Sequence, residues 1–140
     1  MKIRSGFVSN SSSSSFVISL PKDISDFTET EFVNLFSTVA PLDKFTERAE
    51  YIREDLESCD KTEQDLYKQI FFDLVRKTCV PDDFDKDDFG GFKEHDCFVE
   101  YGNEIGTSNN YYFDSALEDY LQEVAYIDNS IIHVSYQSHH

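Results

Sequence analysis

The stretch from Ile3 to Leu20, IRSGFVSNSSSSSFVISL, places five consecutive serines between two apolar segments. Residues 3, 5 and 7 and residues 16, 18 and 20 would share one side of an extended chain, and all but Ser5 are apolar. A period of two residues is typical of a β-strand with one buried face. The pattern therefore predicts a β-hairpin over residues 1–20, with the serines in its loop.

Residues 28–79 carry the apolar periodicity of three helices. The first begins with a capping box, in which Thr28 caps the helix and Glu31 follows three residues later. The third is capped by Thr62, and its predicted inward face is Leu66, Ile70, Leu74 and Val75. Because only the three-residue turn Cys59–Lys61 separates the second and third helices, we expect them to form an antiparallel helical hairpin.

Residues 97–136 are predicted to form a strand–helix–strand unit. The strands are Cys97–Tyr101 and Ile131–Tyr136, with Tyr111–Phe113 as a further short strand and Asp114 as the cap of the helix. A chain of 140 residues fits a single domain, spanning 1–140. The fold class is therefore predicted to be α+β, with a small, mainly antiparallel sheet packed against about four helices.

The charge of the chain is strongly acidic and unevenly distributed. Twelve lysines and arginines stand against 28 aspartates and glutamates, a formal net charge of −16. Residues 1–22 contain Lys2, Arg4 and Lys22 and no acidic residue. An acidic surface repels nucleic-acid phosphates and attracts basic protein surfaces, so we expect a basic protein partner and no direct nucleic-acid binding. Solubility alone is an alternative reason for the same composition.

Residues 82–94 are predicted to form an exposed acidic loop. Its candidate partner-binding residues are Asp82, Asp83, Asp85, Asp87 and Asp88. The spacing of Asp83, Asp85, Asp87 and Glu94 matches positions 1, 3, 5 and 12 of an EF-hand calcium loop. Asp88, however, occupies the sixth position, where the sharp turn of such a loop requires glycine. We therefore favour a solvated loop that contacts the lysines and arginines of a partner, with calcium binding as the weaker alternative.

The serine run has three possible roles, which the sequence leaves open. It can be a plain hairpin loop, an anion-binding nest of backbone N–H groups and hydroxyls, or a site of covalent modification. The residues of the two functional alternatives are Arg4, Ser9, Asn10, Ser11, Ser12, Ser13, Ser14 and Ser15.

No catalytic residue and no cofactor are assigned from the sequence. The chain has no Gly-x-Ser-x-Gly motif, and its Gly102–Thr107 segment lacks the lysine of a phosphate-binding loop. Three cysteines, an odd number spread along the chain, indicate reduced thiols rather than a disulfide framework. No apolar run approaches the roughly 20 residues that a membrane-spanning helix needs. We therefore expect a cytoplasmic protein that does not enter a membrane.

The segment Met1–Ile18, MKIRSGFVSNSSSSSFVI, resembles an N-terminal signature of small, largely uncharacterised proteins of bacteriophages and related mobile elements. The resemblance implies the cytoplasm of a bacterial host, and it transfers no catalytic assignment. Small acidic phage proteins often inhibit host defence or nucleic-acid enzymes, some by presenting carboxylates where DNA phosphates would lie. The function we expect is inhibition of such a host protein through its basic surface. The alternative is a small anion- or ligand-binding domain, or an enzyme, that uses the serine-rich loop.

Overall fold

The computed structural model describes residues 14–76, 95–101, 111–127 and 130–138. These residues form a three-stranded antiparallel sheet and several helices, which confirms the α+β class. The strands are β1 (Ser14–Ser19), β2 (Asp96–Tyr101) and β3 (His133–Ser138). The α-helices are α1 (Glu29–Val39), α2 (Thr46–Ser58), α3 (Glu63–Arg76) and α4 (Tyr111–Ala125), with short 3-10 segments at Ile24–Asp26 and Leu42–Phe45.

The strand β1 lies at the centre of the sheet and pairs along its whole length with both neighbours. Phe16 lies opposite Val99 of β2 and Tyr136 of β3, and both pairings are antiparallel. Phe16 and Ile18 belong to the main core, where they meet side chains of the helices. Because Val17 is buried as well, this strand is covered on both faces at its middle.

The double pairing of β1 corrects the predicted hairpin over residues 1–20. That hairpin requires one free edge on the strand Phe16–Leu20, and both edges of β1 are occupied by β2 and β3. The described neighbours of β1 are therefore β2 and β3, and the other predicted strand of the hairpin, in residues 1–13, lies outside the described residues. A period of two residues indicates a strand, but it carries no information about which segment lies beside it.

The helix starts predicted at Thr28 and Thr62 are confirmed. The Thr28 hydroxyl accepts a hydrogen bond from the Glu31 amide at 3.1 Å, and the Glu31 carboxylate accepts one from the Thr28 amide at 3.0 Å. At the start of α3, Thr62 and Asp65 exchange the corresponding bonds at 2.9 and 3.3 Å. These bonds satisfy backbone N–H groups that have no partner within the helix.

The helices pack in a different arrangement from the predicted helical hairpin. The helix α2 packs mainly along α4, whereas α3 packs along α1. The turn between α2 and α3 contains Asp60, whose φ of 57° lies in the left-handed region that aspartate tolerates. Antiparallel packing of α2 on α3 is therefore not the main helix contact, because the apolar face of α2 is directed towards α4.

The segment Tyr111–Phe113 is the first turn of α4 and not a strand, so the prediction for these residues is wrong. Asp114 lies inside this first turn and is buried, and it is not the residue before the helix. Three aromatic residues in a row favour a strand locally. Burial of Phe113, Leu117 and Tyr120 on one helical face outweighs that local preference.

Aromatic side chains fill the centre of the core. The Tyr120 ring lies 5.8 Å from that of Phe45 and 5.6 Å from that of Tyr67, and its hydroxyl donates to the Ala40 carbonyl oxygen at 2.9 Å.

Val75, predicted to face inward, is 45% exposed because it lies on the outer face of α3. The inward face of α3 is therefore confirmed at Leu66, Ile70 and Leu74, and the prediction is wrong for Val75 alone.

Replacing Thr28 with alanine should lower the free energy of unfolding by about 1 kcal/mol, because it removes the side chain that caps α1. Thr30→Ala is the matched control, since it deletes the same hydroxyl from an exposed position in the first turn of α1 that does not cap the helix. Chemical denaturation of both variants measures the difference. Equal stability of the two variants would contradict the capping role.

Candidate functional site

Most of the site residues predicted from the sequence lie outside the described residues. They are Asp82, Asp83, Asp85, Asp87, Asp88 and Glu94 of the acidic loop, and Arg4, Ser9, Asn10, Ser11, Ser12 and Ser13 of the serine-rich segment. Their proposed roles stay predictions.

The last two serines of the run are strand residues, which corrects the prediction that they belong to a functional loop. Ser14 and Ser15 begin β1 and are only 2% and 1% exposed. The Ser15 hydroxyl donates to a Glu100 carboxylate oxygen at 3.2 Å, and the Ser14 hydroxyl bonds to the Glu118 carboxylate. Buried, hydrogen-bonded hydroxyls are inaccessible to a modifying enzyme and to a dissolved anion.

The helix α2 presents a row of glutamates to solvent, which we call the acidic face: Glu47, Glu50, Glu54 and Glu57. Their spacing of three, four and three residues places them within an arc of about 80° on an α-helix. All four are exposed. In the part of the chain that the structure describes, no basic side chain forms an ion pair with any of them.

The two arginines of α2 lie on either side of the acidic face and are directed away from it. Arg48 contacts Glu123 at 3.5 Å and Asp119 at 3.9 Å, both on α4. Arg53 pairs with Asp43 on one side and with Glu63, at 3.5 Å, on the other. Each arginine is thus shared by two carboxylates of other elements.

The charge of the acidic face is consequently left without compensation from its own helix. Exposed ion pairs of this kind contribute little stability, typically below about 1 kcal/mol each. These ion pairs matter here for the electrostatic potential, because they hold Arg48 and Arg53 at carboxylates outside the acidic face. The row of glutamates therefore offers a negative surface to a basic partner.

A cleft opens beside the start of α2. It has a volume of about 320 Å³, and its lining residues are Phe45, Thr46, Glu47, Arg48, Tyr51 and Glu123. Glu47 belongs both to this cleft and to the acidic face. Tyr51 is 61% exposed at the cleft, whereas Phe45 is only 6% exposed. The cleft therefore combines aromatic rings with carboxylates at one end of the acidic face.

A buried carboxylate joins α3 to the end of the central sheet. Asp73 is fully buried, and it accepts hydrogen bonds from Tyr101 at 2.8 Å, from Gln69 at 2.9 Å and from Arg76 at 2.7 Å. Burial, together with the negative charges of Asp73 and Asp114, raises the pKa of Tyr101 well above its ordinary value. The tyrosine is a hydrogen-bond donor at all physiological pH values, so this network is structural.

Glu118 of α4 is a carboxyl group with a strongly raised pKa. Burial raises the pKa of Glu118 to about 7, against a lowering effect of the Ser14 hydroxyl. The charges of Asp119 and Asp114 act in the same direction as burial. The Ser14 hydroxyl contacts this carboxyl group, but Ser14 is only 2% exposed, so a dissolved substrate does not reach the pair.

The described residues contain no group of three or more side chains that could hold a metal ion. Burial raises the pKa of the Cys97 thiol to about 11, so this thiol is protonated at neutral pH and is a poor nucleophile and metal ligand. Among the same residues, none of the helices has the length and apolar character that crossing a bilayer requires.

The glutamates of the acidic face can be recognised in the sequence, but the sequence does not show that Arg48 and Arg53 form their ion pairs elsewhere. Acidic residues at helical spacing are visible in the printed sequence of α2, as are Arg48 and Arg53 between them. Pairs three or four residues apart on one helix are expected to neutralise each other. The structure instead directs both arginines to other elements, and it places Tyr51 beside the glutamates.

Tyr101→Phe should lower the free energy of unfolding by about 1–3 kcal/mol, because the buried Asp73 carboxylate loses one of its donors. Tyr126→Phe removes a hydroxyl from a side chain that is 81% exposed and serves as the control. Urea denaturation at neutral pH measures both. A Tyr101→Phe protein as stable as the control variant would show that this hydrogen bond contributes nothing.

Glu118→Gln should reduce the loss of stability between about pH 4.5 and pH 7. The carboxyl group binds its proton more tightly in the folded chain, where its pKa is about 7, than at its ordinary value of 4.5. Its contribution to stability is therefore complete below pH 4.5 and is lost as the pH rises to 7. The quantity to compare is the free energy of unfolding of the variant minus that of the parent. We expect this difference to be larger at pH 8 than at pH 4.5, by on the order of 2 kcal/mol.

The free energy of unfolding of both proteins at these two pH values measures the effect, with the exposed Glu50→Gln as a control for the loss of one carboxylate. Parallel pH profiles for Glu118→Gln and the parent would contradict the assignment.

Comparison of the chain with protein-family models, with curated protein sequences and with solved structures found no match.

Proposed function

We propose that this protein is a non-enzymatic interaction protein that binds the basic surface of another protein through the acidic face of α2. The observation that carries the proposal is the row Glu47, Glu50, Glu54 and Glu57, exposed and without an ion pair among the described residues. A rigid helix holds these carboxylates in place before binding, which lowers the entropic cost of association.

The partner is a protein whose own surface recognises phosphates. Lysine and arginine side chains on such a surface form charge-assisted hydrogen bonds with carboxylates as well as with phosphates. At a rise of about 1.5 Å per residue, neighbouring glutamates of the acidic face are roughly 4.5–6 Å apart along the helix axis, so they form a row. The row has the sign of a nucleic-acid backbone, and the net charge of −16 extends the attraction beyond the contact itself. The protein would therefore compete with nucleic acid for the basic surface of its partner.

A bacteriophage origin makes a host defence or nucleic-acid-processing protein the target that we favour. This part of the proposal is supported by the resemblance of residues 1–18 to phage and mobile-element proteins, together with the acidic composition. Inhibition then follows from occupancy of the basic surface, and no catalytic group is needed. Residues 82–88 add five aspartates to the negative charge of the chain, and their role in partner binding stays a prediction.

The alternative function, an anion-binding or enzymatic serine-rich loop, is weakened by the position of β1. Two of its candidate hydroxyls, those of Ser14 and Ser15, are buried in the sheet. The remaining candidates are Arg4 and residues 9–13, which lie outside the described residues.

Neutralising the acidic face should abolish capture of the partner. The variant carries Glu47→Gln, Glu50→Gln, Glu54→Gln and Glu57→Gln, and it is used as bait in a bacterial lysate at low salt. We expect at least a tenfold loss of the partner that the parent protein captures, as identified by mass spectrometry. Capture by the parent should fall steeply between about 50 and 200 mM salt, and added duplex DNA should displace the partner.

The matched control removes four negative charges elsewhere, through Asp23→Asn, Asp26→Asn, Glu29→Gln and Asp60→Asn. It has the same net charge as the test variant, so it separates the acidic face from overall acidity. Retained capture by the control supports the proposal. Equal loss in both variants, or full capture by the test variant, would exclude the acidic face as the binding surface.

A further inference from the structure

We propose that the cleft beside the start of α2 receives one arginine or lysine side chain of the basic partner and anchors the complex. This inference rests on the proposed function, which it extends from a charged surface to a specific contact. The cleft is lined around the start of α2 by Phe45, Thr46, Glu47, Arg48 and Tyr51, and from α4 by Glu123. Its volume of about 320 Å³ is sufficient for one long side chain.

The chemistry of the cleft matches a guanidinium or ammonium group. Glu47 and Glu123 provide carboxylates that can accept charge-assisted hydrogen bonds from such a cation. The ring of Tyr51, exposed at 61%, is available to stack against a guanidinium or to receive an ammonium on its face. Carboxylates and an aromatic ring at one position select a cation over a neutral side chain.

Arg48 also lines the cleft, but its charge is already balanced. Its guanidinium contacts Glu123 at 3.5 Å and Asp119 at 3.9 Å. With Glu47 included, one arginine stands among three carboxylates, so the surroundings of the cleft are negative. An incoming cation can bind at Glu47 and Tyr51 without displacing Arg48. A dissolved anion, by contrast, would have to approach a protein of net charge −16.

The cleft is continuous with the acidic face. Tyr51 follows Glu47 by four residues, so the two side chains are neighbours on one side of α2. Glu54 is one turn further along the helix. A basic segment lying along the acidic face would therefore have one of its side chains at the cleft. Anchors of this type, a tyrosine beside a charged pair, provide much of the affinity in protein interfaces.

A defined cationic probe tests this inference independently of any natural partner. A blocked peptide of three arginines is titrated into the isotope-labelled protein, and the backbone amide signals are followed by NMR. We expect the largest shifts at Thr46, Tyr51 and Glu123, and none from the uncharged citrulline peptide of the same shape. Inorganic phosphate should leave these signals unchanged at equal ionic strength.

Tyr51→Ala should weaken the arginine peptide roughly three- to tenfold, because it removes the ring but no charge. Tyr126→Ala, which deletes the most exposed tyrosine of those described, is the control and should leave the dissociation constant unchanged. Both positions are exposed, so both variants are expected to fold.

The result that overturns the inference is movement of the Glu50, Glu54 and Glu57 signals alone, or a Tyr51→Ala protein with the parent's affinity. Shifts at the cleft with phosphate would overturn it as well. These outcomes leave the acidic face as a binding surface, whereas retention of the natural partner by the quadruple glutamine variant would exclude the proposed function itself. The two failures are thus distinguishable.

Discussion

The double pairing of β1 is the constraint on which the rest of the structure depends. Its six residues hold β2 on one edge and β3 on the other, and its Phe16 and Ile18 enter the core beneath the helices. The helix α4 then packs against β3, and α2 packs mainly on α4. The exposure of the acidic face follows from this packing, because the apolar face of α2 is directed towards α4 and the glutamates lie in solvent.

Local features of the fold could be predicted from the sequence, whereas partners in space could not. The capping pairs at Thr28 and Thr62 act over three residues, so they are readable in the chain and are confirmed. The pairing of β1 joins it to segments far along the chain, and neither alternation nor loop length indicates them. The prediction of a strand at the aromatic run that begins at Tyr111 was wrong, because burial on one helical face is a tertiary effect.

The acidic residues of the candidate site could be predicted from the sequence, but which of them form an exposed surface without ion pairs could not. Acidic residues on α2 are evident in the sequence, and so is the overall charge of −16. Which carboxylates are neutralised depends on the positions of Arg48 and Arg53 relative to α4, Asp43 and Glu63. Ser14 differs from these glutamates in being buried. It lies in a polar run of the sequence, but β2 and β3 pair on either side of its strand. In both cases the tertiary neighbours decide what the residue can do.

The proposed function requires negative potential to be concentrated on α2 and not spread evenly over an acidic protein. Paramagnetic broadening of the amide signals by a cationic and by an anionic nitroxide co-solute measures this potential residue by residue. We expect the ratio of cationic to anionic broadening to be higher between Glu47 and Glu57 than at the exposed Asp23 and Asp26. An equal or lower ratio on α2 would contradict it.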